Sequence, residues 1–185
     1  MTATATTQTV APAGTWALDT THSTASFAVK HMVVATFRGR FEDFDASLVV
    51  GEDGAAKLTG TVKADSIVVK DEGLAGHLKS PEFFDTERYP DITYVAENIR
   101  REGDELIVDG TLTIKGHSHS VEGRGTVTDP AVTFGDVEKI GITLETMIDR
   151  TQYGLEWNAP LPKGGFALAD DVKLTVELEL AKVEG

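Results

Sequence analysis

From Thr15 onward the chain alternates apolar and polar residues over most of its length, the period-two pattern of strands that bury one face. Residues 15–19 make a short opening strand. In residues 22–31, Phe27, Val29 and His31 share one face while Ser26, Ala28 and Lys30 take the other. Residues 34–50 read as one long strand whose phase flips between Phe41 and Phe44, which predicts a β-bulge near residues 42–43. After a turn at Asp53 and Gly54, Leu58, Gly60, Val62 and Ala64 face inward. Further along, Ile92, Tyr94 and Ala96 share a face, followed by Leu106, Val108, Gly110, Leu112 and Ile114. Residues 116–120 read as a turn, after which Val121, Gly123, Gly125 and Val127 return. Ile140, Ile142, Leu144 and Ile148 form the next apolar face. Residues 150–170 are a long loop rich in Gly and Pro, and residues 172–180 are the cleanest alternation in the chain.

One stretch breaks the pattern. In residues 73–90, Leu74, His77, Leu78, Phe83 and Phe84 recur at helical spacing, and Pro81 and Pro90 divide the segment into a short helix and two turns. Strands stand on both sides of it. The fold class is therefore all-β: an antiparallel β-barrel of about eight strands, with a short helical insertion near residues 72–88 that plugs or lids it. Gly14-Thr15-Trp16 resembles the short G-x-W signature of lipocalins. Residues 1–13, rich in Thr and Ala, are expected to be a disordered tail, and residues 14–185 a single barrel domain.

A barrel of this size is either filled by its side chains or leaves room for one small ligand. Gly39, Gly60, Ala64, Gly110, Gly123 and Gly125 fall at inward positions, and trimming so many side chains argues for a cavity. The competing reading places those glycines at bulges and corner bends. The rest of the lining is Phe, Val, Leu and Ile, so a cavity would be apolar and suited to a hydrocarbon chain.

Composition narrows the partners. A net charge of −13 argues against nucleic acid and anionic membrane surfaces. The chain has no cysteine, hence no disulfide or thiol chemistry. No apolar run approaches the ~18 residues of a membrane span, so stable insertion is not expected. Residues 1–13 lack the basic and apolar regions of a secretory signal, which makes the expected location cytoplasmic.

Little in the sequence points to catalysis. It holds neither a G-x-S-x-G elbow nor a phosphate-binding glycine loop. The acids Glu82, Asp85 and Glu87 suit a solvated face. His117 and His119 sit at the i, i+2 spacing of a strand-borne zinc pair, but at an expected turn and without an evident third ligand, so no metal is expected. His31, in phase with Phe27 and Val29, is either a satisfied core histidine or a polar contact for a ligand. Arg150, closing an apolar strand, either pairs with Asp149, Asp170 or Asp171 or meets a ligand head group at the barrel mouth.

The order of these pieces resembles the YceI-like family of lipocalin-like polyisoprenoid-binding proteins, from about Gly14 to Lys182. The resemblance rests on His22-Ser23 with Phe27 and His31, on Gly39 and Phe41, and on the run from His77 through Leu78, Ser80, Phe83, Phe84 and Asp85 to Tyr89-Pro90. The run from Gly110 to Gly116, and Arg150 with Tyr153-Gly154, complete it. It implies an antiparallel barrel with an elongated apolar pocket for an isoprenoid chain, often in a homodimer. The implied role is binding, transport or storage of a quinone, polyprenyl phosphate or similar lipid, without catalysis or cofactor.

On this reading Phe27, Val29, His31, Phe37 and Phe41 line the pocket, and Leu78, Phe83 and Phe84 close it. Leu74, His77, Ile92, Tyr94, Leu112, Ile142, Arg150 and Trp157 complete the candidate ligand contacts. Two other readings stay open. One is an enzyme acting on a hydrophobic substrate through His31, His77 or the His117 and His119 pair. The other is a solid-core barrel that serves as a protein-interaction module.

Overall fold

The computed structural model describes residues 8–185. Its strands are β1 (Gly14–Leu18), β2 (Thr24–His31), β3 (Ala35–Phe41), β4 (Phe44–Val50), β5 (Ala56–Lys63), β6 (Ile67–Val68), β7 (Asp91–Glu102), β8 (Glu105–Ile114), β9 (His117–Val127), β10 (Ala131–Val132), β11 (Glu138–Asp149) and β12 (Leu168–Lys182), with one α-helix, α1 (Glu72–Lys79). The alternating sequence pattern places one face of each long strand inward, and the strands close into an eight-stranded antiparallel barrel.

β12 closes it. One edge pairs with β11 from Lys139↔Ala181 to Asp149↔Asp171. The other edge takes β1 and β2 in succession, at Trp16↔Lys182 and from Ala25↔Val176 to Val29↔Val172. β1 with β2, β3 with β4, and β5 with β6 are therefore composite staves, each broken partway along. β12 also runs longer than residues 172–180, starting at Leu168 with a register irregularity before Val172.

The bulge expected near residues 42–43 is instead part of a crease across those three staves. β3 lies between β2 and β6, whereas β4 lies between β1 and β5. Phe41 and Phe44 are both buried on either side of the break. The backbone amide of Lys63 donates to the Asp43 carbonyl at 2.9 Å, that of Glu42 to Ser66 at 3.2 Å, and that of Asp19 to Glu179 at 2.8 Å. The exchange of partners, rather than one inserted residue, flips the side-chain phase.

The insertion divides where its prolines require. Asp71 caps α1, its carboxylate accepting from the Leu74 amide at 2.8 Å. The helix stops at Lys79, because Pro81 offers no amide to continue the ladder. Turns carry the chain on, with the Phe84 amide bonded to the Leu78 carbonyl and the Tyr89 amide to that of Asp85.

Two expectations are corrected. The β8–β9 turn uses only Lys115 and Gly116, at φ of +51° and +76°, so β9 begins at His117 and both His117 and His119 are strand residues. Part of the expected N-terminal tail is docked. Residues 1–7 lie outside the described residues, but Val10 and Ala11 are buried in the core. The Pro12 carbonyl accepts from Trp16 Nε1 at 3.0 Å, and the Val10 carbonyl from Arg101 Nη1 at 3.2 Å. Two apolar side chains and two satisfied carbonyls outweigh the polarity of the surrounding segment.

The core has two parts. Trp16, Leu48, Val108, Val127, Ile140, Ile142 and Leu180 belong to one tightly buried cluster that fills one end. Phe41, Ile67, Leu78, Phe83, Leu112, Ile148, Tyr153 and Leu155 form the other, beneath the insertion and the long loop. The barrel is therefore solid at one end and hollow at the other.

Candidate functional site

The hollow end encloses a cavity of about 370 Å³, within the range of small-ligand sites. Period-two alternation builds its walls. From β2 it takes Phe27, Val29 and His31; from β3, Phe37 and Phe41; from β7, Ile92 and Tyr94; from β8, Leu112. Leu74, His77 and Leu78 of α1, Phe83 and Phe84 of the following turn, and Arg150 and Trp157 of the long loop cover it. Met32, at the β2–β3 turn and 41% exposed, stands on its rim.

All the expected contacts except Ile142 thus meet around one space. Ile142 is buried at the filled end, packed with Trp16 and Leu180 rather than facing the cavity. Its strand is long enough to serve both ends, and Leu144, Thr146 and Ile148 reach the cavity from the same face.

The lid is an aromatic relay. Phe27 stands 6.1 Å from Phe37 and 5.9 Å from Phe41, and Phe41 meets Phe84 edge-on at 5.9 Å. His77 packs edge-on against Phe83 and against Trp157, each at 5.0 Å, and its Nε2 lies 2.5 Å from a Glu82 carboxylate oxygen. Such contacts add to area burial and fix ring orientation. The α1 segment and the long loop are thereby joined over the cavity.

The polar groups of the wall are few and mostly engaged. The Tyr94 hydroxyl donates toward the carbonyls of Val121 at 3.0 Å and Val108 at 3.3 Å. Burial, with smaller effects from Asp109 and Glu122, pushes its pKa up to about 12, so it stays neutral. Arg150 donates to the backbone carbonyls of Ala169 at 2.8 Å, of Trp157 at 3.0 Å, and of Leu155. Burial lowers its pKa, partly offset by Asp170 and Asp149, yet a guanidinium keeps its proton in water-exposed and buried sites alike. It pins the long loop across the mouth. Asn158 helps, its side chain bonding both the amide and the carbonyl of Leu168 at 2.9 and 2.7 Å. His117 and His119 lie outside this wall. His119 Nε2 contacts the Gln152 carbonyl at 2.9 Å and its ring meets Tyr153 edge-on, so His119 braces the loop.

The interior glycines do not act as one set. Gly60 and Gly123 line the cavity, and a Cβ on Gly123 would meet only Leu144, at 3.8 Å or beyond. On Gly110 it would strike Tyr94 and the Val95 carbonyl at 2.6 Å, and on Gly39 the Phe27 ring at 2.5 Å. At Gly125 the Thr143 carbonyl oxygen fills the place of a Cβ. Ala64 is buried in a short 3-10 turn, Ala64–Ser66, away from the cavity. These positions admit rings and backbone; only Gly60 and Gly123 widen the space.

Sequence reasoning left much of the wall unassigned. Val172, Leu174, Val176 and Leu178 of β12 line the cavity, as do Leu58 and Val62 of β5. Their signal was the same alternation that defined their strands. Among the described residues, no helix is long and apolar enough to cross a membrane.

Comparison with known proteins agrees with this architecture. The family model for the YceI-like domain matches residues 16–180. A UPF0312 protein of Staphylococcus aureus strain USA300 is 32% identical over 169 residues, covering 88% of this chain and 95% of that one. The crystal structure of a Campylobacter jejuni YCEI protein aligns with a TM-score of 0.69 at 26% identity, over 84% of this chain and 90% of that one. Burkholderia cenocepacia BcnA aligns with a TM-score of 0.73 at 24% identity, over 88% and 98%. A polyisoprenoid binding domain from Saccharophagus degradans shares the fold at a TM-score of 0.67 and 16% identity, over 91% and 98%.

Proposed function

The chain belongs to the YceI-like family, and we propose that it binds an isoprenoid or similar long-chain lipid in the barrel cavity as a carrier or store, without catalysing a reaction on it. The observation that carries this reading is the cavity of about 370 Å³, walled mainly by aliphatic and aromatic side chains and covered by the Phe83, Phe84 and Trp157 rings. Each CH₂ moved from water into such a space contributes roughly 0.8 kcal/mol, so a branched hydrocarbon chain is held without a dense polar site. The polyisoprenoid binding named for the Saccharophagus degradans domain supports the same ligand class.

The non-catalytic part of the proposal rests on how the wall's polar groups are used. Tyr94 is neutral and bonded to two carbonyls, His77 is held between two rings and Glu82, and Arg150 secures the loop. None is paired as nucleophile and base. Native mass spectrometry of the purified protein, followed by solvent extraction, tests the proposal. A co-purifying mass that extracts as an isoprenoid, or saturable uptake of a fluorescent isoprenoid at one per chain, is the expected result. Failure of both overturns it.

A further inference from the structure

The turn between β2 and β3 is made of Met32, Val33 and Val34, although left-handed turn positions favour Gly, Asn or Asp. Met32 and Val33 sit at φ of +51° and +65°, a region in which a β-branched side chain is strained. Burial does not offset that strain, because Val33 is 71% exposed and Val34 is 86% exposed. Asn at position 33 would suit both the backbone and the water. A turn that keeps apolar side chains against both penalties marks a contact surface.

A second segment extends the patch. The Met32 amide donates to the Ala167 carbonyl at 2.7 Å, which brings the Phe166 segment beside the turn. Phe166 is 60% exposed. Its own loop is a tight one: Phe166 bridges to Pro160, and the Leu161 amide donates to the Gly165 carbonyl at 2.9 Å. Met32 and Ala167 both line the cavity, so the patch stands at its mouth.

The charge around the patch runs against that of the chain. Of the 30 acids in the sequence, none falls in residues 20–41 or 157–169, the two segments that meet here. Lys30 precedes the turn by two residues and Lys163 lies in the Phe166 loop, both exposed, with Arg38 further down β3. Of the acids that bound these segments, Asp19 pairs with Lys139, Glu42 with Arg40, and Asp170 lies 3.6 Å from the Arg150 guanidinium; Glu156 is the remaining one. The net charge of −13 is a sum over the whole chain, and acids more than about 8 Å from a docked surface are largely screened at physiological salt. What a surface at the mouth meets is the apolar tip and its cations.

We propose that this patch docks the mouth of the barrel on an anionic phospholipid surface, with Val33, Val34 and Phe166 entering among the head groups and Lys30 and Lys163 meeting the phosphates. Apolar side chains flanked by cations are the pattern of interfacial binding. A second copy of the chain fits less well. Three exposed side chains supply only a fraction of the roughly 800 Å² per partner of a stable interface, and a two-fold contact would set Lys30 and Lys163 against their own copies. The docking needs no lipid in the cavity; a lipid held there, as proposed above, would enter and leave at the bilayer.

The test is flotation of the unmodified protein with vesicles of phosphatidylcholine alone and of phosphatidylcholine mixed equally with phosphatidylglycerol. Binding is expected to the mixture, to weaken in high salt, and to be slight with phosphatidylcholine alone. Val33→Asn relieves the left-handed position, so its urea midpoint should be no lower than the parent's while its vesicle affinity falls about tenfold. Reversing both charges, Lys30→Glu with Lys163→Glu, should remove the gain from phosphatidylglycerol. No binding to either vesicle, equal binding to both, or full binding by Val33→Asn overturns the proposal. Sedimentation equilibrium addresses the second copy: a parent dimer that Val33→Asn dissociates reassigns the patch and overturns it as well. The vesicles hold no isoprenoid, so failure here is distinct from failure of the cavity reading, which uptake of a fluorescent isoprenoid measures.

Discussion

The Phe27 ring lies across Gly39 of the neighbouring strand: a Cβ on Gly39 would come within 2.5 Å of Phe27 Cζ and 3.1 Å of Val69. Phe27 in turn carries the contacts to Phe37 and Phe41 that begin the aromatic lining. Gly39→Ala should push Phe27 off this seat and into the cavity. The expected cost is about 1–3 kcal/mol in urea denaturation, as in overpacking of a filled core, together with weaker uptake of a fluorescent isoprenoid. A variant as stable as its parent, with unchanged uptake, would show that the ring can leave without consequence.

Gly39 also marks how far alternation could be read. Alternation tells which residues of β2, β3, β7 and β8 face inward, and those residues supply much of the cavity lining. Alternation carries no information on height along the barrel axis, so it predicts Ile142 in the cavity although Ile142 packs at the filled end. Nor does it say what occupies the space above a glycine. Gly39 and Gly110 lie under rings and Gly125 against a carbonyl, outcomes set by neighbouring strands distant in sequence. The crease at residues 42–43 was legible only as a change of phase, since the exchange of strand partners that causes it is a tertiary event.

Val10 shows the same limit in a polar segment. It is 2% exposed, and its carbonyl accepts from Arg101, which also pairs with Asp129 at 2.6 Å. Val10→Ala should lower stability by about 2 kcal/mol, from the lost transfer energy plus the cavity left behind. The urea midpoint measures this. A change within a few tenths would mean that residues 8–13 contribute nothing to the core.

Asp19, His22, Lys139 and Glu179 form a surface network at the crease. Asp19 contacts His22 Nδ1 at 3.0 Å and Lys139 Nζ at 3.1 Å, and Lys139 reaches Glu179 at 2.6 Å. Hydrogen bonds from His22 and then Lys139 hold the Asp19 pKa down to about 2, and the bond to Asp19 raises that of His22 above its ordinary 6.5. The signs differ. The Asp19 contribution is present above its unfolded value of 3.8 and is lost as pH falls toward about 2. The His22 contribution is full below 6.5 and is lost as pH rises through its raised folded value. The network should therefore stabilise most between about pH 4 and 6.5. A pH series of urea midpoints should decline above neutrality for the parent and flatten there for His22→Gln. Parallel curves would exclude this linkage.

Gly123 gives the sharpest division between a hollow and a solid interior. It pairs with Val108 on β8 and faces the cavity, and the nearest atoms to a Cβ there belong to Leu144, at 3.8 Å. Gly123→Leu therefore places four carbons where the lipid is proposed to lie, and little else is in their way. Stability should change by no more than about 1 kcal/mol, since replacing glycine in a strand recovers some backbone preference. Binding of a fluorescent isoprenoid should be lost. Gly110→Leu is the matched comparison, on the facing strand but beneath Tyr94 and against the Val95 carbonyl, both at 2.6 Å. It should cost at least about 1–3 kcal/mol, because a carbonyl in the ladder cannot move aside as a side chain can. The pair separates the two explanations for lost binding. A stable, non-binding Gly123→Leu beside a destabilised Gly110→Leu means that the blocked space is the ligand's. Equal destabilisation of both, with no binding by the parent, means that the interior packs as a core and holds no lipid.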